Sequence, residues 1–188
     1  SNVKYGELRF VYIELKFYPK ADSLLRIGNQ IDNSNILLLL YMAKSSYKQR
    51  KYINALSSAN KIIELQEDTS IYLKKMMGIS YFHAGDYGNS IKTLNSVLNQ
   101  NQASEIIYYY LALTYKANGN LEKSTQLFEK AIGEGISVNL ATYYTNLAVS
   151  YEEQGLYGDA IRAYKAAYNS SKDKILLYHL ARNYDTYY

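Results

Sequence analysis

Apolar residues recur along this chain at a spacing of three and four, the signature of amphipathic helices. In residues 105–118 they are Ile107, Tyr108, Leu111, Ala112 and Tyr115, and Leu127, Phe128 and Ala131 follow on one face of residues 121–132. Gly119-Asn120 separates the two stretches, with glycine supplying a left-handed φ and asparagine a helix cap. Gly85-Asp86 and Gly155 punctuate other pairs in the same way. The pattern predicts helical hairpins in series.

The hairpins are copies of one another. MGISYFHAGDYGNSIKTLNSVL from Met77, LALTYKANGNLEKSTQLFEKAI from Leu111 and LAVSYEEQGLYGDAIRAYKAAY from Leu147 align, 34 and 36 residues apart. Extending the register gives repeats 2–35, 36–70, 71–104, 105–140 and 141–173, with a partial sixth over 174–188. Neither helix of a unit can bury its apolar stripe alone, so stacked units share a continuous core. The whole chain, 1–188, reads as a single all-α repeat domain of about eleven helices.

Small and large residues alternate at fixed repeat positions. Position 8 holds Ala43, Gly78, Ala112, Ala148 and Ala181; position 20 holds Ala21, Ala55, Ser90, Ser124 and Ala160. Position 27 holds Gly28, Ala131 and Ala167, relaxed to Ile62 and Val97. Position 7 is Leu8, Met42, Met77, Leu111, Leu147 and Leu180, and position 11 is Tyr12, Tyr81, Tyr115, Tyr151 and Tyr184, with Ser46 the exception. The ordering resembles the tetratricopeptide repeat (TPR) family. The resemblance implies an α-solenoid of five hairpins and a closing helix, wound as a right-handed superhelix. It departs from the family at Arg9 (position 8), at Arg50 in place of glycine at position 15, and in lacking proline at position 32 throughout.

Composition narrows the chemistry. The 188 residues include 23 Tyr but no Cys and only two His, His83 and His179. Thiolate metal sites and cysteine nucleophiles are thereby excluded, and a histidine cluster has too few members. Glycine-rich phosphate cradles and nucleophile elbows are absent from the sequence. The expectation is a chain that is not an enzyme and has no cofactor. Net charge is +4, short of a nucleic-acid footprint. The longest apolar run, Ile36 to Ala43, is too short to span a bilayer. Nothing fixes the compartment, and a removed signal peptide remains compatible with the start. Abundant Asn, Lys, Ile and Tyr point to a bacterial source of AT-rich genome.

Thirteen tyrosines fall where the family packs helices: Tyr5, Tyr12, Tyr18, Tyr52, Tyr81, Tyr87, Tyr108, Tyr115, Tyr144, Tyr151, Tyr157, Tyr164 and Tyr184. Six others, Tyr41, Tyr47, Tyr72, Tyr109, Tyr110 and Tyr178, fall on first-helix positions that the resemblance makes a concave groove. The groove expected from it comprises Tyr41, Lys44, Tyr72, Lys75, Ile79, His83, Tyr109, Tyr110, Leu113 and Lys116. Tyrosine offers contact area at small entropic cost, and lysine steers acidic partners. Thr142, Thr145, Asn146, Val149, Glu152 and Glu153 would make the next unit polar and acidic, although a Glu-Glu pair on a helix is most often a solvated face. The family's two-carboxylate clamp is absent: Asn146 matches its middle element, but Tyr109, Leu113, Ile175 and His179 occupy the flanking positions.

The expected function is a non-catalytic scaffold binding a protein or peptide, acidic with apolar anchors, with no nucleic-acid partner and no membrane insertion by this chain. Two alternatives are a repeat segment of a larger envelope-associated or regulatory protein with its chemistry elsewhere, and an RNA-binding helical repeat. Ile175, Leu176, Leu177 and Leu180 make the last helix apolar for a cap, so a homodimer through it is expected. Replacing Tyr109 and Tyr110 by Ser is expected to leave folding intact and weaken capture of a partner.

Overall fold

The computed structural model describes residues 16–65, 70–100, 104–134 and 138–187. Ten helices lie among them: α1 (Tyr18–Ile31), α2 (Ile36–Lys48), α3 (Tyr52–Leu65), α4 (Ile71–His83), α5 (Tyr87–Leu98), α6 (Glu105–Ala117), α7 (Leu121–Glu134), α8 (Leu140–Glu153), α9 (Tyr157–Ser171) and α10 (Ile175–Tyr187). No strand occurs among the described residues. The first helix expected from the repeat register, with Tyr5, Leu8, Arg9 and Tyr12, lies outside them. The chain divides into two compact units, Ser1–Thr93 and Leu94–Tyr188, with the boundary inside α5.

Each hairpin turns by the same hydrogen bond. The amides of Lys51, Asp86, Asn120 and Leu156 donate to the carbonyls of Ser46, Tyr81, Tyr115 and Tyr151, all at 2.9 Å. This Schellman closure needs a left-handed residue just before the donor. Gly85 (φ 80°), Gly119 (φ 82°) and Gly155 (φ 74°) supply it in three of these hairpins and Arg50 (φ 60°) in the fourth, while Lys16 (φ 61°) holds the same repeat position ahead of α1. Side-chain caps then start the helices: Asn35 accepts from the Leu38 amide at 3.0 Å, Ser70 from Leu73 at 3.2 Å, and Asn120 from Lys123 at 3.0 Å.

In the first unit α1 packs on α2, α2 on α3 and α3 on α4. Its core contains Leu39, Ala43, Leu56, Ala59, Ile62 and Met77. The Ser90 hydroxyl donates to the Gly78 carbonyl at 2.9 Å, so α5 approaches the α4 backbone where Gly78 leaves no side chain in the way. In the second unit α6 packs on α7, α7 on α8, α8 on α9 and α9 on α10. Ala112, Ala148, Ala131 and Ala167 are completely buried, with Phe128 and Tyr164 filling the space between. Small residues set the close crossings and large ones interdigitate.

Two further buried rows stand out. Position 3 is buried in every described unit: Leu38, Leu73, Ile107, Tyr143 and Leu176. Position 10 is a buried small polar residue: Ser45, Ser80, Thr114, Ser150 and Asn183. Thr114 and Ser150 return their hydroxyls to the carbonyls of Tyr110 and Asn146, four residues earlier, at 2.6 and 3.0 Å. Such a side chain is small enough for the crossing and can be satisfied by its own helix.

Candidate functional site

The first helices of the second unit, α6, α8 and α10, are joined side by side by polar contacts along their length. Tyr143 Oη donates to Glu105 Oε1 at 3.4 Å. Asn146 hydrogen-bonds the Tyr109 side chain. Lys116 Nζ lies 3.0 Å from Glu153 Oε1. Between α8 and α10, Glu152 Oε1 accepts from Asn183 Nδ2 at 2.6 Å and pairs with Arg182. Above these contacts Tyr109, Tyr110, Leu113 and Val149 remain half-buried, so the face mixes apolar area with fixed polar groups. It continues into a cleft of about 410 Å³ lined by Val149, Glu152, Glu153, Tyr157, Arg182 and Thr186.

Charges on this face are largely met within the chain. Lys116, expected to steer an acidic partner, keeps only 20% of its side chain exposed and is paired with Glu153. Glu152 is no solvated residue: 13% of its side chain is exposed, and Tyr164 Oη donates to its Oε2 at 2.6 Å. Burial opposes its charge, but the bonds from Tyr164, Arg182 and Asn183 outweigh that and hold the carboxyl below its ordinary range.

Tyr109 is as much a packing residue as a surface one. Its ring lies 4.8 Å from Tyr143, 5.9 Å from Phe128 and 5.5 Å edge-on from Tyr110. Burial raises the pKa of its phenol, with the Tyr143 neighbour adding to the effect. A substitution here removes ring contacts as well as surface, so Tyr109 serves packing and surface together.

The first-unit residues have varied placements. Tyr72 is 47% exposed, and Lys75 and Lys44 are half-buried. Ile79, expected in the groove, is only 6% exposed and offers a ligand almost no surface, although Leu113 and Val149 at the same repeat position are half-buried. Tyr41 packs against Ala21, Leu25 and Leu38. His83 stacks its ring on Tyr52 at 4.2 Å and 10°, and the partial desolvation of the ring, with nearby Arg50, lowers its pKa. Of the tyrosines assigned to packing, Tyr164 is fully buried and the other described ones are half-buried. Tyr143, at 2% exposed, was not among them. The apolar residues at its register position in other units carried the signal.

Among the described residues no group of three or more His, Asp or Glu is placed to hold a metal ion. No described helix is long and apolar enough to cross a membrane.

Comparison with known proteins agrees with this geometry. Residues 106–133 and 141–174 match the tetratricopeptide repeat family model. A TPR repeat-containing protein of Methanocaldococcus jannaschii is 28% identical over 120 residues, 64% of this chain and 21% of that protein. The chain thus spans about a fifth of that relative's length. Among solved structures, MamA from Desulfovibrio magneticus RS-1 superposes with a TM-score of 0.79 at 16% identity, covering 89% of this chain and 93% of that one. YrrB, described as a TPR protein with an unusual peptide-binding site, gives 0.79 at 13% identity, covering 97% and 92%. At these identities the likeness is one of fold, an α-solenoid of stacked hairpins.

Proposed function

Because this chain carries tetratricopeptide repeats, we propose that it is a non-catalytic scaffold that binds an extended polypeptide on its first-helix face. The observation that carries this reading is the surface of α6, α8 and α10. There half-buried Tyr110, Leu113 and Val149 stand among polar groups already bonded to one another. Such a surface offers apolar contact area without unpaired charges that binding must desolvate. The peptide-binding site named for YrrB gives the reading a parallel in the same fold. Taken by itself, the first unit presents exposed Tyr72 and half-buried Lys75 on α4, a surface of the same kind in which Lys75 favours acidic residues beside an apolar anchor. Affinity on the order of micromolar, about −8 kcal/mol, fits an open face that must order its ligand.

The test is affinity capture from the native source with the wild-type chain and with Leu113→Glu/Val149→Glu. Both variants place charge on the face without touching the fully buried alanines. Loss of the captured partner, with an unchanged circular dichroism spectrum, supports the reading; equal capture overturns it.

We also infer self-association through α10. Ala43, Ala112 and Ala148 are fully buried by the second helix of their own hairpin, but Ala181, their counterpart, is exposed. Leu177 beside it is 44% exposed, whereas Leu39 at the same register is 2% exposed. The face is shaped to receive a helix, and a second copy is the occupant proposed. A monomeric mass in solution at high protein concentration would exclude it.

A further inference from the structure

A hydrogen bond between successive units recurs in both halves of the chain. Tyr81 Oη donates to Asn60 Oδ1 at 3.3 Å, and Tyr151 Oη donates to Glu129 Oε1 at 2.7 Å. In repeat terms, the position 11 phenol reaches across to an acceptor at position 25 of the preceding unit. The last unit instead sets Lys165, at position 25, over the ring of Tyr184 at 5.3 Å, and the second unit has neither the phenol nor the acceptor. Its position 11 is Ser46, and position 25 of the unit before it is Arg26. Among the described units only the second has no ring at position 11, and its position 25 neighbour is a cation, as in the last unit.

A cleft of about 350 Å³ opens there between α1 and α3, over α2. Half-buried Met42, backed by the buried Leu25, forms its apolar side, and Arg26, Ser46, Lys51 and Ser57 supply polar groups. Asp22 also lines it, but its carboxylate is already engaged. Oδ1 accepts from Ser45 Oγ at 2.7 Å, Oδ2 accepts from Gln49 Nε2 at 2.9 Å, and Lys51 Nζ stands 3.6 Å from Oδ2. Two cations against one carboxylate leave the cleft with one positive charge in excess.

We propose that this cleft binds a single aromatic ring bearing an anionic group, the ring taking the place of the absent tyrosine and the anion meeting Arg26. A guanidinium presents a planar fork of donors that suits a carboxylate or phosphate. The apolar wall gives the ring its contact area, and a volume of this order is that of a small-ligand site. The site is independent of the first-helix face. The same chemistry arises from a free aryl acid or phosphate and from a phosphorylated tyrosine on a partner polypeptide.

The test is a titration of the full chain, followed by amide resonances, with phenyl phosphate, inorganic phosphate and a capped phosphotyrosine pentapeptide. Phenyl phosphate should give saturable shifts centred on Ser46, Ser57 and Ser58, with inorganic phosphate at least tenfold weaker. Ser46→Tyr restores the ring and should abolish binding while keeping the fold, since Tyr is accommodated at 81, 115 and 151. Arg26→Gln should weaken binding at least tenfold and carries the test if Ser46→Tyr fails to fold. A pentapeptide that binds tighter than phenyl phosphate identifies a polypeptide source, and equal binding a free aryl anion. Absence of saturable shifts, phenyl phosphate no better than inorganic phosphate, or unaltered binding by Ser46→Tyr would overturn the proposal.

Discussion

The hydroxyl of Tyr164 on α9 donates to Glu152 on α8 at 2.6 Å, while the other oxygen of that carboxylate holds Asn183 and Arg182 on α10. One carboxylate therefore ties three helices together. Its bonds hold its pKa below the ordinary 4.5. A group depressed in this way gives stability that is complete above the unfolded-state value and lost as pH falls through the folded one. Thermal melts between pH 7 and about pH 3 should show the melting temperature falling below about pH 4.5. In Glu152→Gln that fall should be smaller, from a baseline lower by about 2–3 kcal/mol at pH 7.

Ala148 is fully buried at the crossing of α8 with its neighbours. Ala148→Leu should overpack that crossing and cost about 1–3 kcal/mol, read as a lower denaturation midpoint. An unchanged midpoint would contradict the repeat register.

Arg50 holds a left-handed φ of 60° where the three following hairpins use Gly85, Gly119 and Gly155. A side chain there is strained by about 1 kcal/mol. Arg50→Gly should recover part of that, about 0.5 kcal/mol after the added chain entropy, seen as a higher melting temperature.

Tyr109 touches Tyr143 and Phe128, so Tyr109→Ser should lower stability by about 1–3 kcal/mol in chemical denaturation. Any loss of partner capture in that variant mixes binding with packing. Leu113, half-buried, is the cleaner probe.

The hairpins, their turns and their close crossings were legible because glycine, alanine and the large apolar residues answer to backbone geometry and volume, which repeat from unit to unit. The burial of Ile79 and of Tyr143 was less so. Ile79 shares its register position with half-buried Leu113 and Val149, so its burial is local to its own unit, and Tyr143 replaces Leu or Ile of the other units with a residue that also suits a surface. Glu152 was read as acidic surface because its partners Tyr164 and Arg182 lie 12 and 30 residues further on. Sequence near Glu152 carries no trace of either. The same holds for Lys116 and Glu153, whose pairing cancels a charge that looked available.

A polypeptide partner on the first-helix face would lie within reach of Leu113 and away from Gln126. Site-specific photo-crosslinking tests it directly, with a benzophenone side chain at Leu113 on α6 or at exposed Gln126 on α7. A covalent adduct with the partner from position 113 and none from position 126 is the predicted result. An adduct from position 126 alone, or from neither position, would contradict it.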